Sequence, residues 1–120
     1  MERKSQDIGI SINPDTGAAL QTTLGDGKAW GVQLTYVQEA PLGLAHVVRV
    51  SEPFLRGDRF VFYLGDNLIG RGVQRVLERF RASSDDCHLV LARVRDPQRF
   101  GVAEVHDGRV VRVEKSRCTR

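Results

Sequence analysis

The chain has little cysteine, little lysine and no long apolar run. Cys87 and Cys118 are its only cysteines. No metal-ligand spacing joins them, so neither a zinc knuckle nor a disulfide framework is expected. Cys87 opens the apolar stretch Cys87-His88-Leu89-Val90-Leu91-Ala92 and is expected to be a buried thiol. Nothing approaches the length of a membrane span. The polar start, Met1-Glu2-Arg3-Lys4-Ser5-Gln6-Asp7, lacks the apolar region of a secretory leader. The expected compartment is therefore the cytoplasm, with no membrane partner. Lysine occurs only at Lys4, Lys28 and Lys115, so the net charge of +3 rests mainly on scattered arginines. Acids lie between them, and aromatic residues do not interleave with them. That pattern argues against a nucleic-acid partner. No internal repeat, low-complexity stretch or linker is present.

What is present is alternation of strand and helix signals. A chain of 120 residues makes one core at most. Ile8–Ile12 reads as a short strand, and Asn13-Pro14-Asp15 offers a turn and a helix start. A helix over Thr16–Leu24 follows, with Ala18, Ala19 and Leu20 inward, stopped by Gly25-Asp26-Gly27. Val32–Val37 alternates apolar and polar residues as a strand does. Leu44–Val50 reads as helix, continuing to Leu55. Phe60–Leu64 reads as a buried central strand ending at Gly65-Asp66. Gly72–Arg81 is amphipathic, with Val73, Val76, Leu77 and Phe80 at helical spacing. Cys87–Val94 is expected to be another strand. Val102–Val105 and Val110–Val113 flank Asp107-Gly108, a hairpin signal because Asp-Gly accepts positive φ. The alternation predicts a three-layer α/β domain with a mostly parallel sheet and a C-terminal hairpin. Its expected bounds are residues 7–115. Residues 1–6 are expected to form a disordered tail, and 116–120 an irregular one.

Four places have residues suited to chemistry. Asp66 follows an apolar run, and parallel sheets deliver acids to their carboxyl edge in this way. One carboxylate beside a nucleotide is a natural Mg²⁺ ligand, although an Asp capping the next segment is an equal alternative. In Gln38–His46, Pro41 and Gly43 permit close backbone approach, and the Gln38 amide suits the edge of a pyrimidine. An ordinary strand-to-helix loop explains that segment better on its own. Gly101, after Phe100, can expose backbone amides to a sugar hydroxyl, and Lys115 beside Glu114 can hold a phosphate as a point charge. A tight turn and a solvated strand end are the plainer readings of those two. His46, His88 and His106 show no ligand-like grouping. No strand-to-helix Gly-x-Ser-x-Gly nucleophile is present.

The order of these segments is more specific than any one of them. Leu24-Gly25-Asp26-Gly27, Trp30-Gly31-Val32, Gln38–Ala45 and Leu64-Gly65-Asp66-Asn67 come first. Asp96-Pro97, Phe100-Gly101-Val102-Ala103-Glu104 and Val113-Glu114-Lys115 follow. The set resembles the sugar-phosphate nucleotidyltransferases, most closely the glucose-1-phosphate thymidylyltransferase group, from about Asp7 onward. The resemblance implies a Rossmann-like nucleotidyltransferase domain. It implies attack of a sugar 1-phosphate oxygen on the α-phosphorus of a nucleoside triphosphate, with pyrophosphate leaving. The substrates implied are dTTP and glucose 1-phosphate, with UTP or GTP as alternative nucleotides, and the cofactor is Mg²⁺. By the same resemblance Gln38 and Gly43 contact the base, and Asp66 binds the metal at the α-phosphate. Gly101 and Glu114 contact the sugar, and Lys115 holds the sugar phosphate.

The chain also departs from the family pattern. It lacks the glycine-rich loop Gly-Gly-x-Gly-Thr-Arg-Leu and the later strand that supplies a second metal-binding Asp. It reads Glu114-Lys115-Ser116 where the family usually has proline after the lysine. A central fragment of an enzyme is therefore the expectation. An open sheet would favour association into a homo-oligomer. Little or no transferase turnover is expected from residues 1–120 alone, leaving a non-catalytic nucleotide-binding remnant as the alternative. Turnover at ordinary enzyme rates would contradict that expectation.

Overall fold

The structure, a computed structural model, describes residues 7–38, 40 and 42–115. The expected tails at 1–6 and 116–120, together with Pro41 and Ser116, lie outside the described residues. The chain divides into two compact units, Met1–Leu64 and Gly65–Arg120.

The first unit is built on two parallel strands, β1 (Asp7–Ile12) and β2 (Gln33–Gln38), registered from Asp7 opposite Gln33 to Ile12 opposite Gln38. Helix α1 (Gly17–Leu24) joins them. Its start follows from Asn13, whose Oδ1 accepts from the amides of Asp15 and Thr16 and from the Thr16 hydroxyl, at 2.9–3.0 Å. Such Asx turns divert the backbone into a helix. The helix ends at Gly25, as its sequence predicts. The loop beyond it is anchored on β2: the Tyr36 hydroxyl donates to the Gly25 carbonyl at 2.7 Å, and the Leu34 amide to the Asp26 carbonyl at 3.0 Å. Gly27 is buried at φ +85°, where a Cβ would come within 2.7 Å of both Leu34 Cγ and the Val32 carbonyl oxygen.

The core of this unit centres on Ile12, only 2% exposed. Gly17 lies so close that a Cβ there would meet Ile12 Cδ1 at 2.9 Å. This contact corrects the expected inner face of α1. Gly17 and Leu24 lie one above the other at i, i+7 and are the less exposed positions, whereas Ala18, Ala19 and Leu20 are exposed. The expected long helix is split into α2 (Leu44–Val50) and α3 (Glu52–Leu55). Pro53 is the reason, since it has no amide to donate to the preceding turn. Helix α3 sets Phe54 against β1, where a Cβ on Gly9 would meet the ring at 2.9 Å.

The second unit contains α4 (Gln74–Ala82) and a hairpin of β3 (Gly101–His106) and β4 (Arg109–Lys115). On α4, Val73, Val76, Leu77 and Phe80 form the less exposed stripe, as their spacing predicts. Gln74 and Glu78, one turn apart on the outer side, are joined by a 3.1 Å hydrogen bond. The hairpin turns at Asp107 and Gly108 with φ of +50° and +75°. Two successive positive φ angles are what a type I′ turn needs, so the Asp-Gly signal is realised. A short 3₁₀ turn, Pro97–Arg99, precedes β3.

Two expected strands are absent. Phe60–Leu64 and Cys87–Val94 join no ladder among the described residues, and the sheets there are one parallel pair and one antiparallel pair. Phe60, Val61, Phe62, Tyr63 and Leu64 are 39–53% exposed. An apolar run states a preference for burial, but a strand also needs a ladder partner, and no described strand supplies one. For the same reason Cys87 is exposed instead of buried. The architecture is mixed α/β, with a small parallel sheet and an antiparallel hairpin.

Candidate functional site

Strand β2 ends at Gln38, whose side chain is exposed. Its register partner is Ile12, so the best-buried residue of the unit supports the strand end that carries the amide. Gly43 is the N-cap of α2 at φ +97° and ψ 171°, a region essentially reserved for glycine. Among the described residues a Cβ there would meet nothing within 4 Å, so the backbone angle selects glycine. The open space in front of Gly43 leaves its backbone accessible to a ligand.

Asp66 lies in the Gly65-Asp66 turn and is exposed. It does not cap α4, whose N-cap is Val73. Among the described residues no three His, Cys, Asp or Glu side chains converge on a cation site. A lone carboxylate matches the way Mg²⁺ is usually held, by one or two carboxylates with substrate phosphates completing the shell. The donor chemistry of Asp66 therefore fits that ion, with the remaining ligands coming from elsewhere.

The hairpin brings three candidates together. Gly101 is the register partner of Lys115, and Val102 of Glu114. Side chains alternate along a strand, so Glu114 and Lys115 face opposite sides of the hairpin. Gly101 shares the Lys115 side, where a Cβ on it would meet Val113 Cγ1 at 3.8 Å, an ordinary contact. Glu114 faces the other side and pairs with Arg112 at 2.7 Å. One flat ligand face therefore cannot meet both side chains of the Glu114-Lys115 pair.

Several other charged contacts are local. Lys28 pairs with Asp26 at 2.9 Å. Its hydrogen bond holds the Asp26 carboxyl below the usual range, and Asp26 in turn raises the Lys28 ammonium. His106 meets Glu104 at 3.0 Å. His88, to which the sequence assigns no role, lies 3.0 Å from Asp85 and 3.1 Å from the Ser83 hydroxyl. The only signal of that cluster is the spacing Ser-x-Asp-x-x-His at a helix end, too short a pattern to stand out. No helix among the described residues is long and apolar enough to cross a membrane.

The comparisons with known proteins place the chain in a family. The profile of the nucleotidyl transferase family matches residues 1–115. A glucose-1-phosphate thymidylyltransferase of Streptomyces griseus is 43% identical over 111 residues, covering 91% of this chain and 31% of its own length. One from Streptomyces antibioticus is 40% identical over 112 residues, again covering 91% of this chain and 31% of the relative. The chain thus spans about a third of the length of these relatives. Among solved structures, a Bacillus anthracis protein named as a glucose-1-phosphate thymidylyltransferase, in complex with sucrose, superimposes with a TM-score of 0.86 at 29% identity. That match covers 93% of this chain and 46% of the other. With the family profile extending over all but the last five residues, this chain belongs to the nucleotidyl transferase family.

Proposed function

We propose that this chain carries part of a site for nucleotidyl transfer from dTTP to glucose 1-phosphate, yielding a nucleotide sugar and pyrophosphate. The observation that carries the reading is the conjunction of the family match with the ordered segments around Gln38, Asp66, Gly101 and Lys115. The names of the Streptomyces relatives support thymidine as the base and glucose 1-phosphate as the acceptor.

In this reading Gln38 and Gly43 meet the base. The Gln38 amide donates to one polar atom of the pyrimidine edge and accepts from its neighbour. Asp66 holds Mg²⁺, which offsets the negative charge of the triphosphate when bound. Gly101 offers backbone amides to the sugar, with Glu114 as the further sugar contact. Lys115 neutralises the sugar phosphate, so that its oxygen can approach a second anion. Catalysis of this kind is positioning and charge neutralisation, which exposed charges can supply only on a fixed frame. We further propose that residues 7–115 belong to a Rossmann-like, three-layer domain with a mostly parallel sheet, acting in the cytoplasm.

Calorimetric titration of the chain with dTTP, UTP and GTP, each with Mg²⁺, tests the base assignment. Preference for dTTP is expected. Preference for UTP or GTP would move the nucleotide assignment. No binding of any triphosphate would overturn the reading.

A further inference from the structure

Helix α4 ends in a cluster that the transferase reading does not use. Ala82 is its last residue, and Ser83 turns the chain to an extended conformation at φ −99°, ψ 162°. The Ser83 hydroxyl donates to the Phe80 carbonyl at 3.0 Å, satisfying one of the orphan carbonyls of the helix end. With its proton so placed, Ser83 Oγ accepts from the Asp85 amide at 3.4 Å. It also lies 3.1 Å from His88 Nε2. The same Nε2 lies 3.0 Å from Asp85 Oδ2, which can only accept. Both neighbours are acceptors, so the network assigns the ring proton to Nε2. The imidazole stacks edge-on to Phe80, with ring centroids 5.1 Å apart. Asp85 Oδ1 reaches Arg109 on β4 at 3.6 Å.

We propose that Ser83, Asp85 and His88 form a proton-sensitive clasp that closes the C-terminal end of α4 and ties it, through Arg109, to the β3–β4 hairpin. The charged groups around His88 are Asp85 from the turn after α4 and, beyond it, Arg109 from β4; Arg79 and Arg81 lie in the last turn of α4 itself. Where His88 is protonated, its bond to Asp85 is charge-assisted and His88 also opposes the negative end of the helix dipole. Where it is neutral, an ordinary hydrogen bond remains. Where Asp85 is protonated, the negative charge that holds His88 and Arg109 is lost and the clasp loosens. The Arg109 arm is long and its side chain 81% exposed, so it is the salt-sensitive part.

The acid limb has a defined sign. The His88 hydrogen bond is the main cause that holds the Asp85 carboxyl below its ordinary value; desolvation opposes it, and the Arg109 and His88 charges and the Ser83 hydroxyl add to the lowering. A carboxyl depressed on folding stabilises the fold above its unfolded pKa. That contribution is lost as pH falls through the folded value. The clasp therefore loosens at a lower pH than an unpartnered carboxyl would titrate.

The test is a carbon-detected titration of the Asp85 carboxyl in the whole chain, with exchange of the Asp85 amide read alongside. Wild type should titrate below the usual carboxylate range, and His88→Gln should move the midpoint up towards it. Ser83→Ala should leave most of the depression in place while lowering Asp85 amide protection roughly fivefold, the effect of one lost hydrogen bond. Equal midpoints in wild type and His88→Gln would overturn the proposal. A wild-type Asp85 that titrates in the usual range would overturn it too, whether or not the variants fold. The result does not depend on nucleotide or sugar binding, so it stands apart from the transferase reading.

Discussion

At the residue scale, the hairpin separates two side chains that adjoin in sequence. Glu114 and Lys115 fall on opposite sides, and Glu114 is already paired with Arg112. Their substitutions should therefore act differently. Lys115→Ala should weaken glucose 1-phosphate binding about 10- to 100-fold, the equivalent of a lost charged hydrogen bond of about 1.5–3 kcal/mol. Glu114→Gln should have a smaller effect, because the side chain faces away from the phosphate side. Calorimetry with the sugar phosphate checks both, and equal losses would contradict the face assignment. The two glycines differ in a comparable way. Gly101→Ala places its methyl in ordinary contact with Val113, so the hairpin should keep its stability while ligand affinity falls. Gly43→Ala should destabilise the first unit by roughly 1–3 kcal/mol, since its φ of +97° is strained for any side chain. Urea unfolding of the two variants distinguishes these outcomes.

At the scale of elements, Ile12 is the position on which the parallel pair depends. Ile12→Ala should destabilise its unit by roughly 2–5 kcal/mol, measured as a shift in the urea midpoint at constant slope. An unchanged midpoint would mean that β1 does not depend on this contact. The elements that were legible in the sequence are those specified locally. Asn13 starts α1 with its own side chain, Gly25 stops it, Asp107-Gly108 turns the hairpin, and the stripe on α4 repeats at helical spacing. The elements that misled are those needing a distant partner. Phe60–Leu64 and Cys87–Val94 have the composition of buried strands, yet no described strand pairs with them. Composition records a preference for burial, and pairing is a property of the neighbours. The split at Ser51 was legible in principle, because Pro53 removes a helical donor. The inner face of α1 was not, because Gly17 contributes by its lack of a side chain, which hydrophobic patterning does not register.

At the scale of the whole molecule, family membership was readable in the order of the segments and not in a cluster. Gln38 and Gly43 belong to the first compact unit, and Asp66, Gly101, Glu114 and Lys115 to the second. Each residue alone has a plain structural explanation: a strand end, a helix cap, a turn, a hairpin. The succession of glycine, amide, acid and lysine lies within residues 1–115, the span that the nucleotidyl transferase family profile matches. The opposite-face geometry of Glu114 and Lys115 could not be read from that succession, because it depends on β4 running as an unbroken strand through both. The central claim is that Asp66 presents Mg²⁺ to a nucleoside triphosphate. Its most direct measurement is dTTP affinity of wild type and Asp66→Asn, each with and without Mg²⁺. The account predicts that Mg²⁺ tightens binding in wild type and that the variant loses this gain, about 10- to 100-fold for a lost charged contact. An equal Mg²⁺ effect in both proteins would contradict it.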